Sequence, residues 1–228
     1  MTRTREARIS IDPDRPIGRI HPRMYGSFVE HMGRCVYTGI FEPDHPSADE
    51  AGLRRDVMEL VRELGVTTVR YPGGNFVSGY RWEVGPAQDR PRRLDLAWHT
   101  TETNAFGTDQ FMDWCAKTGI EPMLAVNLGT RGEIEAVDLL DYVNARADPA
   151  CAGRRRANGC AEPYDVRMWC LGNEMDGPWQ VGHKNAEDYA HLALSTARAM
   201  HMVDQGLELV ACGSSAWEMP TFGDWEGT

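Results

Sequence analysis

Val166-Arg-Met-Trp-Cys-Leu171, followed by Gly172-Asn-Glu174, is the stretch on which the fold turns. A short apolar run that stops at a glycine reads as a buried strand. Its polar residues gather just past the C-terminal end. Downstream, Ala186 to Val203 has helical spacing, with Tyr189, Leu192, Ala193, Met200 and Val203 on one face, and Leu207–Cys212 is the next strand. Upstream, Gly132 to Asn144 reads as a helix with Ile134, Val137, Leu139 and Leu140 inward, preceded by a strand at Pro122–Asn127. Before these come a helix from Thr108 carrying Phe111, Trp114 and Cys115 and closed by Gly119, and a β-branched strand at Val66–Tyr71 cut by Pro72-Gly73-Gly74. Asp49 to Leu64 reads as a helix with Leu53, Val57, Leu60, Val61 and Leu64 on one face, stopped by Gly65. Met24–Glu30 reads as the first strand of this series. Residues 146–163, 213–228 and the stretch up to about Gly107 read as loops, and Arg8–Asp12 as an isolated short strand.

Strands alternating with helices imply βαβ units and a parallel sheet covered by helices. No G-x-G-x-x-G follows the first strand and no G-x-x-x-x-G-K-[ST] occurs, which disfavours a nucleotide-binding open sheet. The expected fold is therefore α/β, a (β/α)₈ barrel. At roughly 45 residues per unit, eight units need roughly 360, so these 228 residues hold about the first five. The expected division is residues 1–20 as a strand belonging to a β-sandwich and 21–228 as the partial barrel.

Composition narrows the function. With 24 Lys+Arg against 34 Asp+Glu the formal charge is 24 − 34 = −10, which argues against nucleic-acid binding. No run of 18 apolar residues occurs, so no membrane partner is expected, and the charged N-terminus leads into no apolar segment of a secretory signal. The six cysteines lack a C-x-x-C pair and mostly sit in apolar runs, as small buried side chains do. Cys151 and Cys160 flank a basic stretch and could approach each other, but nothing points to an oxidising compartment, and a cytoplasmic location is expected.

Chemistry in such a barrel sits at the C-terminal ends of the strands. There this sequence places Glu30 with His31, Arg70 with Asn75, Asn127, and Asn173 with Glu174. A carboxylic acid at an apolar barrel mouth can stay protonated toward neutral pH and serve as a general acid, so Glu174 is the leading candidate. Arg70 at a strand end calls for a carboxylate partner, for which Glu30 is available. The glycines after Pro72 let the backbone turn sharply and approach a ligand. Trp82, Trp98, Trp179, Trp217 and Trp225 lie in or near loops, where flat rings suit sugar C–H faces. His99, His183 and Asp176 lack metal-ligand spacing, and neither metal nor cofactor is expected.

Seven stretches carry a resemblance: Tyr25-Gly-Ser-Phe-Val-Glu-His31, Thr38-Gly-Ile-Phe-Glu-Pro43, Val69-Arg-Tyr-Pro-Gly-Gly-Asn-Phe-Val-Ser-Gly-Tyr80, Arg90-Pro-Arg-Arg-Leu-Asp-Leu-Ala-Trp98, Asn104-Ala-Phe-Gly107, Leu171-Gly-Asn-Glu-Met-Asp-Gly-Pro-Trp-Gln180 and Cys212-Gly-Ser-Ser215. In order and over nearly the whole chain they resemble α-L-arabinofuranosidases of glycoside hydrolase family 51. The resemblance implies a (β/α)₈ barrel with a β-sandwich, an often intracellular and often hexameric enzyme, and release of terminal α-L-arabinofuranosyl units from arabinan- and arabinoxylan-type saccharides with retention. It implies Glu174 as general acid/base and Asn173 as the group holding the sugar 2-hydroxyl. It implies Glu30 and Asn75 as hydroxyl ligands, Arg70 as orienter of the carboxylates and Trp98 as the aromatic closing the site. A retaining glycosidase needs a second carboxylate as nucleophile. The family places that glutamate after the seventh strand, and no residue of this chain corresponds to it. The family also carries about two more residues between Glu83 and Val84. A non-catalytic sugar-binding module and a barrel glycosidase acting on another glycan are the alternatives, the latter disfavoured by the Gly-Gly-Asn-Phe-Val-Ser-Gly-Tyr and Trp98 context.

Overall fold

The computed structural model describes residues 7–83, 90–145 and 151–226. Its strands are β1 (Ser27–Phe28), β2 (Thr68–Tyr71), β3 (Arg93–Leu94), β4 (Thr101–Glu102), β5 (Glu121–Val126), β6 (Met168–Leu171) and β7 (Glu208–Ala211). Its helices are α1 (Arg55–Leu64), α2 (Thr108–Thr118), α3 (Glu133–Asn144), α4 (Cys151–Ala157), α5 (Ala186–Val203) and α6 (Phe222–Glu226). The strands β3 and β4 pair antiparallel, and the other five form one parallel sheet in the order β1-β2-β5-β6-β7. The order never reverses, unlike that of a doubly wound sheet.

Strand side chains alternate between two faces. On one face Val69 and Tyr71 of β2, Leu124 and Val126 of β5, and Trp169 and Leu171 of β6 are buried in a single core with Phe111 and Trp114 of α2, Leu139 and Leu140 of α3, and Tyr189 and Met200 of α5. Each such side chain contributes about 1.5–3 kcal/mol of burial. On the other face Arg70, Met123, Cys170 and Val210 border an open cavity of about 590 Å³. Among the described residues no helix is long and apolar enough to cross a membrane.

Gly65 and Gly119 end α1 and α2 in the left-handed region, at φ 75° and 76°, as their positions in the sequence predict. Asn185 starts α5 by accepting the Asp188 N–H on Oδ1 at 2.8 Å.

Other expectations are corrected. The first helix begins at Arg55, because Asp49 Oδ1 accepts the N–H groups of Ala51 and Leu53, both at 2.9 Å, and folds a turn in place of helix. Leu53 is buried from that turn, and of the expected face Val57 and Val61 pack against the core, whereas Leu60 and Leu64 are exposed and Met58 is buried instead. Ile134 and Val203, in the end turns of α3 and α5, are exposed as well. The first strand shrinks to Ser27–Phe28 because Pro22–Tyr25 forms a 3₁₀ turn with proline at its start. Arg8–Asp12 forms no strand: it finds no ladder partner among the described residues, and Ile9 and Ile11 are exposed. Residues 151–157 are helical instead of loop. Arg155 of α4 is fully buried and donates to the Tyr142 and Ala145 carbonyls at 2.6 and 2.7 Å, which satisfies the C-terminal end of α3. Helix α6 forms within the expected terminal loop, because Trp225 stacks on Tyr189 with centroids 5.0 Å apart. Cys160 is free, whereas the Cys151 side chain and the shortened stretch at Val84–Pro86 lie outside the described residues.

Candidate active site

The polar residues at the strand ends form two adjoining groups. Arg70, Asn173 and Glu174 line the open cavity, whereas Glu30, Asn75 and Trp98 do not.

The second group is centred on Glu30, two residues past β1. It is buried, and its Oε1 accepts the Phe76 N–H at 2.9 Å and the Trp98 Nε1–H at 3.0 Å. Its Oε2 has no protein donor among the described residues. The glycines after Pro72 serve this carboxylate: Gly73 has φ 109°, and a Cβ on it would stand 2.3 Å from Glu30 Cβ. The peptide before Pro72 is cis. Asn75 opens the 3₁₀ turn Asn75–Gly79 and is half-buried, its side chain free of protein partners among the described residues. Trp98 lies in the loop of the β3–β4 hairpin, where Asp95 accepts the backbone N–H groups of Ala97 and Trp98 at 3.2 and 2.8 Å.

In the cavity Arg70 Nη1 donates to Asn173 Oδ1 at 2.9 Å, and its guanidinium stands 5.4 Å from the centre of the Phe28 ring. No ion pair joins Arg70 to Glu30, contrary to the sequence expectation: Arg70 Nη1 turns to Asn173 instead, and Glu30 Oε1 accepts from Phe76 and Trp98. The bond to Arg70 fixes the Asn173 amide and leaves its buried Nδ2 without a partner. Such an orphaned donor is poised for a ligand oxygen.

Glu174 lies at φ 45°, a left-handed conformation that a non-glycine residue adopts at a cost of order 1–3 kcal/mol. Its Oε2 accepts the Trp179 Nε1–H at 2.9 Å. Asp176, two residues on, is a staple between loops. It accepts Ser214 Oγ at 2.7 Å and the Ser215 N–H at 3.0 Å, together with the Ser215 hydroxyl. Burial alone would raise its pKa, but the serine hydrogen bonds outweigh that and hold it below the usual carboxylate value. Asn127 likewise staples a turn, accepting the Gly129 and Thr130 N–H groups at 3.0 Å.

Of the loop tryptophans, Trp98 and Trp179 reach the candidate carboxylates. Trp82 packs on Tyr142 at 5.0 Å, Trp225 belongs to the core, and Trp217 is exposed. Among the described residues no group of three or more His, Cys, Asp or Glu side chains is placed to hold a metal ion. The sequence reading missed Glu102, buried on β4 of the hairpin against His31. It also missed Gln180, whose Nε2 donates to the Asn173 carbonyl at 2.5 Å. Glu102 belongs to no local pattern, and Gln180, though it ends the Leu171–Gln180 stretch, shows its role only through the turn that brings it to Asn173.

The family model for the α-L-arabinofuranosidase 1 domain matches residues 60–225. The chain is 60% identical to an intracellular exo-α-(1→5)-L-arabinofuranosidase of Streptomyces lividans, over 98% of this chain and 34% of that protein. It is 61% identical to an exo-α-(1→6)-L-arabinofuranosidase of Bifidobacterium longum, over 98% of this chain and 43% of that one. Among solved structures, a family 51 α-L-arabinofuranosidase from Bifidobacterium longum superimposes with a TM-score of 0.91 at 60% identity, over 95% of this chain and 44% of that one. The family 51 enzyme of Thermotoga petrophila does so with a TM-score of 0.85 at 45% identity, over 89% and 43%. The chain thus spans less than half the length of these relatives.

Proposed function

The chain belongs to the α-L-arabinofuranosidases of glycoside hydrolase family 51, and from that membership we propose that it supplies the sugar-binding and proton-transferring half of a retaining arabinofuranosidase. The reading is release of terminal non-reducing α-L-arabinofuranosyl residues from arabinan- and arabinoxylan-type saccharides. Relatives named for (1→5) and for (1→6) linkages match this chain equally well. The shared part is then the site for the arabinosyl unit that both remove. The observation that carries the reading is the set of Arg70, Asn173 and Glu174 on one cavity, with an unpartnered Asn173 Nδ2 beside a carboxylate held at positive φ.

In this reading the five-stranded sheet is the first part of a (β/α)₈ barrel, and residues 1–20 belong to a β-sandwich. The Glu174 carboxyl donates its proton to the glycosidic oxygen as the C–O bond breaks. A carboxylate from outside this chain takes the anomeric carbon. Glu174, now ionised, removes a proton from the water that displaces that carboxylate and so regains its acid form. Asn173 Nδ2, Glu30 Oε2 and Asn75 bind sugar hydroxyls, and Trp98 covers the ring. Relatives are named intracellular, and we carry that location, cytoplasmic work on imported oligosaccharides, to this protein, with a homo-oligomer such as a hexamer as the assembled form.

The test is a fusion of residues 1–228 to the remaining segment of the Bifidobacterium longum relative, assayed on an aryl α-L-arabinofuranoside beside the 228-residue chain alone. The fusion is expected to be active, its Glu174→Ala variant about 10²–10⁴-fold slower on arabino-oligosaccharides and rescued by azide on the aryl substrate, and the chain alone inactive. A fully active Glu174→Ala fusion overturns the acid/base role. Turnover by the chain alone at the fusion's rate overturns the division of the site.

A further inference from the structure

Glu30 and Trp98 meet through a single hydrogen bond, yet both rest on one buried unit beneath them. His31 follows Glu30 directly and is buried. Its Nδ1 lies 2.9 Å from Glu102 Oε2 and its Nε2 lies 2.9 Å from the Tyr71 hydroxyl. Its ring stacks on Phe76 with centroids 4.3 Å apart and planes 11° off parallel. Phe76 is also the residue whose N–H binds Glu30 Oε1. Glu102 closes the hairpin whose loop carries Trp98, and its Oε1 accepts the Asn104 N–H at 2.6 Å and the Tyr37 hydroxyl. Two closed circuits result. One runs from Glu30 through His31 and the Phe76 ring back to the Phe76 N–H. The other runs from His31 through Glu102 and along the hairpin to Trp98 Nε1.

We propose that Glu102 is a positioning residue of the sugar site, acting through His31 to hold the Glu30 carboxylate and the Trp98 indole in register. The inference rests on the reading of Glu30 and Trp98 as groups that bind the arabinosyl unit. An ionised Glu102 takes the Nδ1 proton of His31 in a hydrogen bond, which selects the ring tautomer and leaves Nε2 to accept from Tyr71. The surroundings favour that ionised form. Burial by itself would raise the Glu102 pKa, but hydrogen bonds from His31, Tyr37 and the Asn104 N–H more than offset it. Burial pushes the Tyr71 and Tyr37 hydroxyls well up, so neither competes as an anion. A carboxylate is needed here rather than any polar group of its size. Glutamine presents an N–H₂ toward one of three donors and leaves a buried clash of like partners.

The test uses the 228-residue chain labelled with ¹⁵N at tryptophan and histidine, with Trp98 assigned by Trp98→Phe. In the unliganded wild-type chain the Trp98 indole N–H is expected downfield and slow to exchange, and the His31 Nδ1 protonated. In folded Glu102→Gln the indole resonance moves toward the free-indole position, and affinity for L-arabinose falls about tenfold. Tyr37→Phe, which removes one donor to the same carboxylate and leaves His31 bonded, keeps the indole resonance in place. A folded Glu102→Gln chain with an unmoved Trp98 resonance overturns the proposal. If that variant fails to fold, the wild-type measurement decides: a bare Nδ1 on His31 overturns the proposal and a protonated one supports it. A wild-type chain that shows the bonded indole but no arabinose binding refutes the sugar-site reading and leaves the positioning role standing on the resonances.

Discussion

The Trp179 indole reaches Glu174 across Gly177, and only glycine permits it: a Cβ at position 177 would stand 2.6 Å from the Trp179 ring, whose Nε1 donates to Glu174 Oε2 at 2.9 Å. A typical protein hydrogen bond is worth about 0.5–1.5 kcal/mol, and at this exposed position the bond biases the Glu174 carboxyl toward one orientation on the cavity wall.

Removing that donor should therefore separate two kinds of substrate. In the completed fusion, Trp179→Phe is expected to slow hydrolysis of arabino-oligosaccharides about tenfold, because their poor leaving groups need a well-aimed proton. Aryl arabinofuranosides, whose leaving groups need little protonation, should be slowed much less. Gly177→Ala should reproduce the pattern by displacing the ring. Equal losses on both substrate classes would assign Trp179 to binding alone.

The same logic applies to Gly73 on the other side of the site. It combines φ 109° with a Cβ position 2.3 Å from Glu30 Cβ, so alanine meets both a backbone and a steric penalty. Gly73→Ala should lower stability by about 2–3 kcal/mol, read by urea unfolding, and should weaken L-arabinose binding. Gly18, whose Cβ would meet nothing within 4 Å, is the control, and its alanine variant should match the wild type in both measurements.

The sheet and the strand-end positions of the site residues were legible because they depend on local pattern. A run such as Met168–Leu171 is apolar at every position, and the helix stops Gly65 and Gly119 state their own conformations. What escaped depends on partners distant in sequence. Arg70 was expected to pair with a carboxylate, but Asn173, 103 residues away, takes its Nη1. The α4 helix is specified by a buried Arg155 on the end of α3, and nothing in Cys151–Ala157 itself announces that. On α1 the inward Val57 and Val61 are legible, whereas Leu60 and Leu64 are not, because Leu53, from which the face is counted, is buried without being helical. Glu102 carries no motif, because its role is set by His31, 71 residues earlier.

Thiol chemistry offers a test of the packing independent of any substrate. Burial pushes the Cys170 thiol up to about 11 and the Cys115 thiol well above the ordinary range, whereas Cys35 is exposed. The thiolate is the reactive form. Labelling by an aromatic disulfide reagent at neutral pH, followed by peptide mass mapping, should modify Cys35 in the native chain and leave Cys115 and Cys170 unmodified until urea unfolds it. Prompt labelling of Cys170 in the native chain would show that the cavity face of β6 is more open than the structure has it.

Acid should loosen the link between the loops after β6 and β7, and the sign follows from Asp176. Its folded pKa lies below the ordinary value because the Ser214 and Ser215 hydrogen bonds outweigh burial. Above the unfolded pKa, about 3.9, the carboxylate is ionised in both states and its bonds contribute in full. As pH falls through that region the unfolded chain takes up the proton first, so stability drops. Asp176→Asn carries no titrating group and loses about 2 kcal/mol at neutral pH by facing its serine donors with an N–H₂. Urea midpoints from about pH 6 to about pH 3 should then show a gap between wild type and variant that is constant at the upper end and closes toward the lower. Glu102, Asp49 and Glu208 are also held low and lower both curves together, so the difference isolates Asp176. A gap that stays constant down to the acid end would mean that Asp176 does not titrate as part of folding, and that the two loops are joined by other contacts.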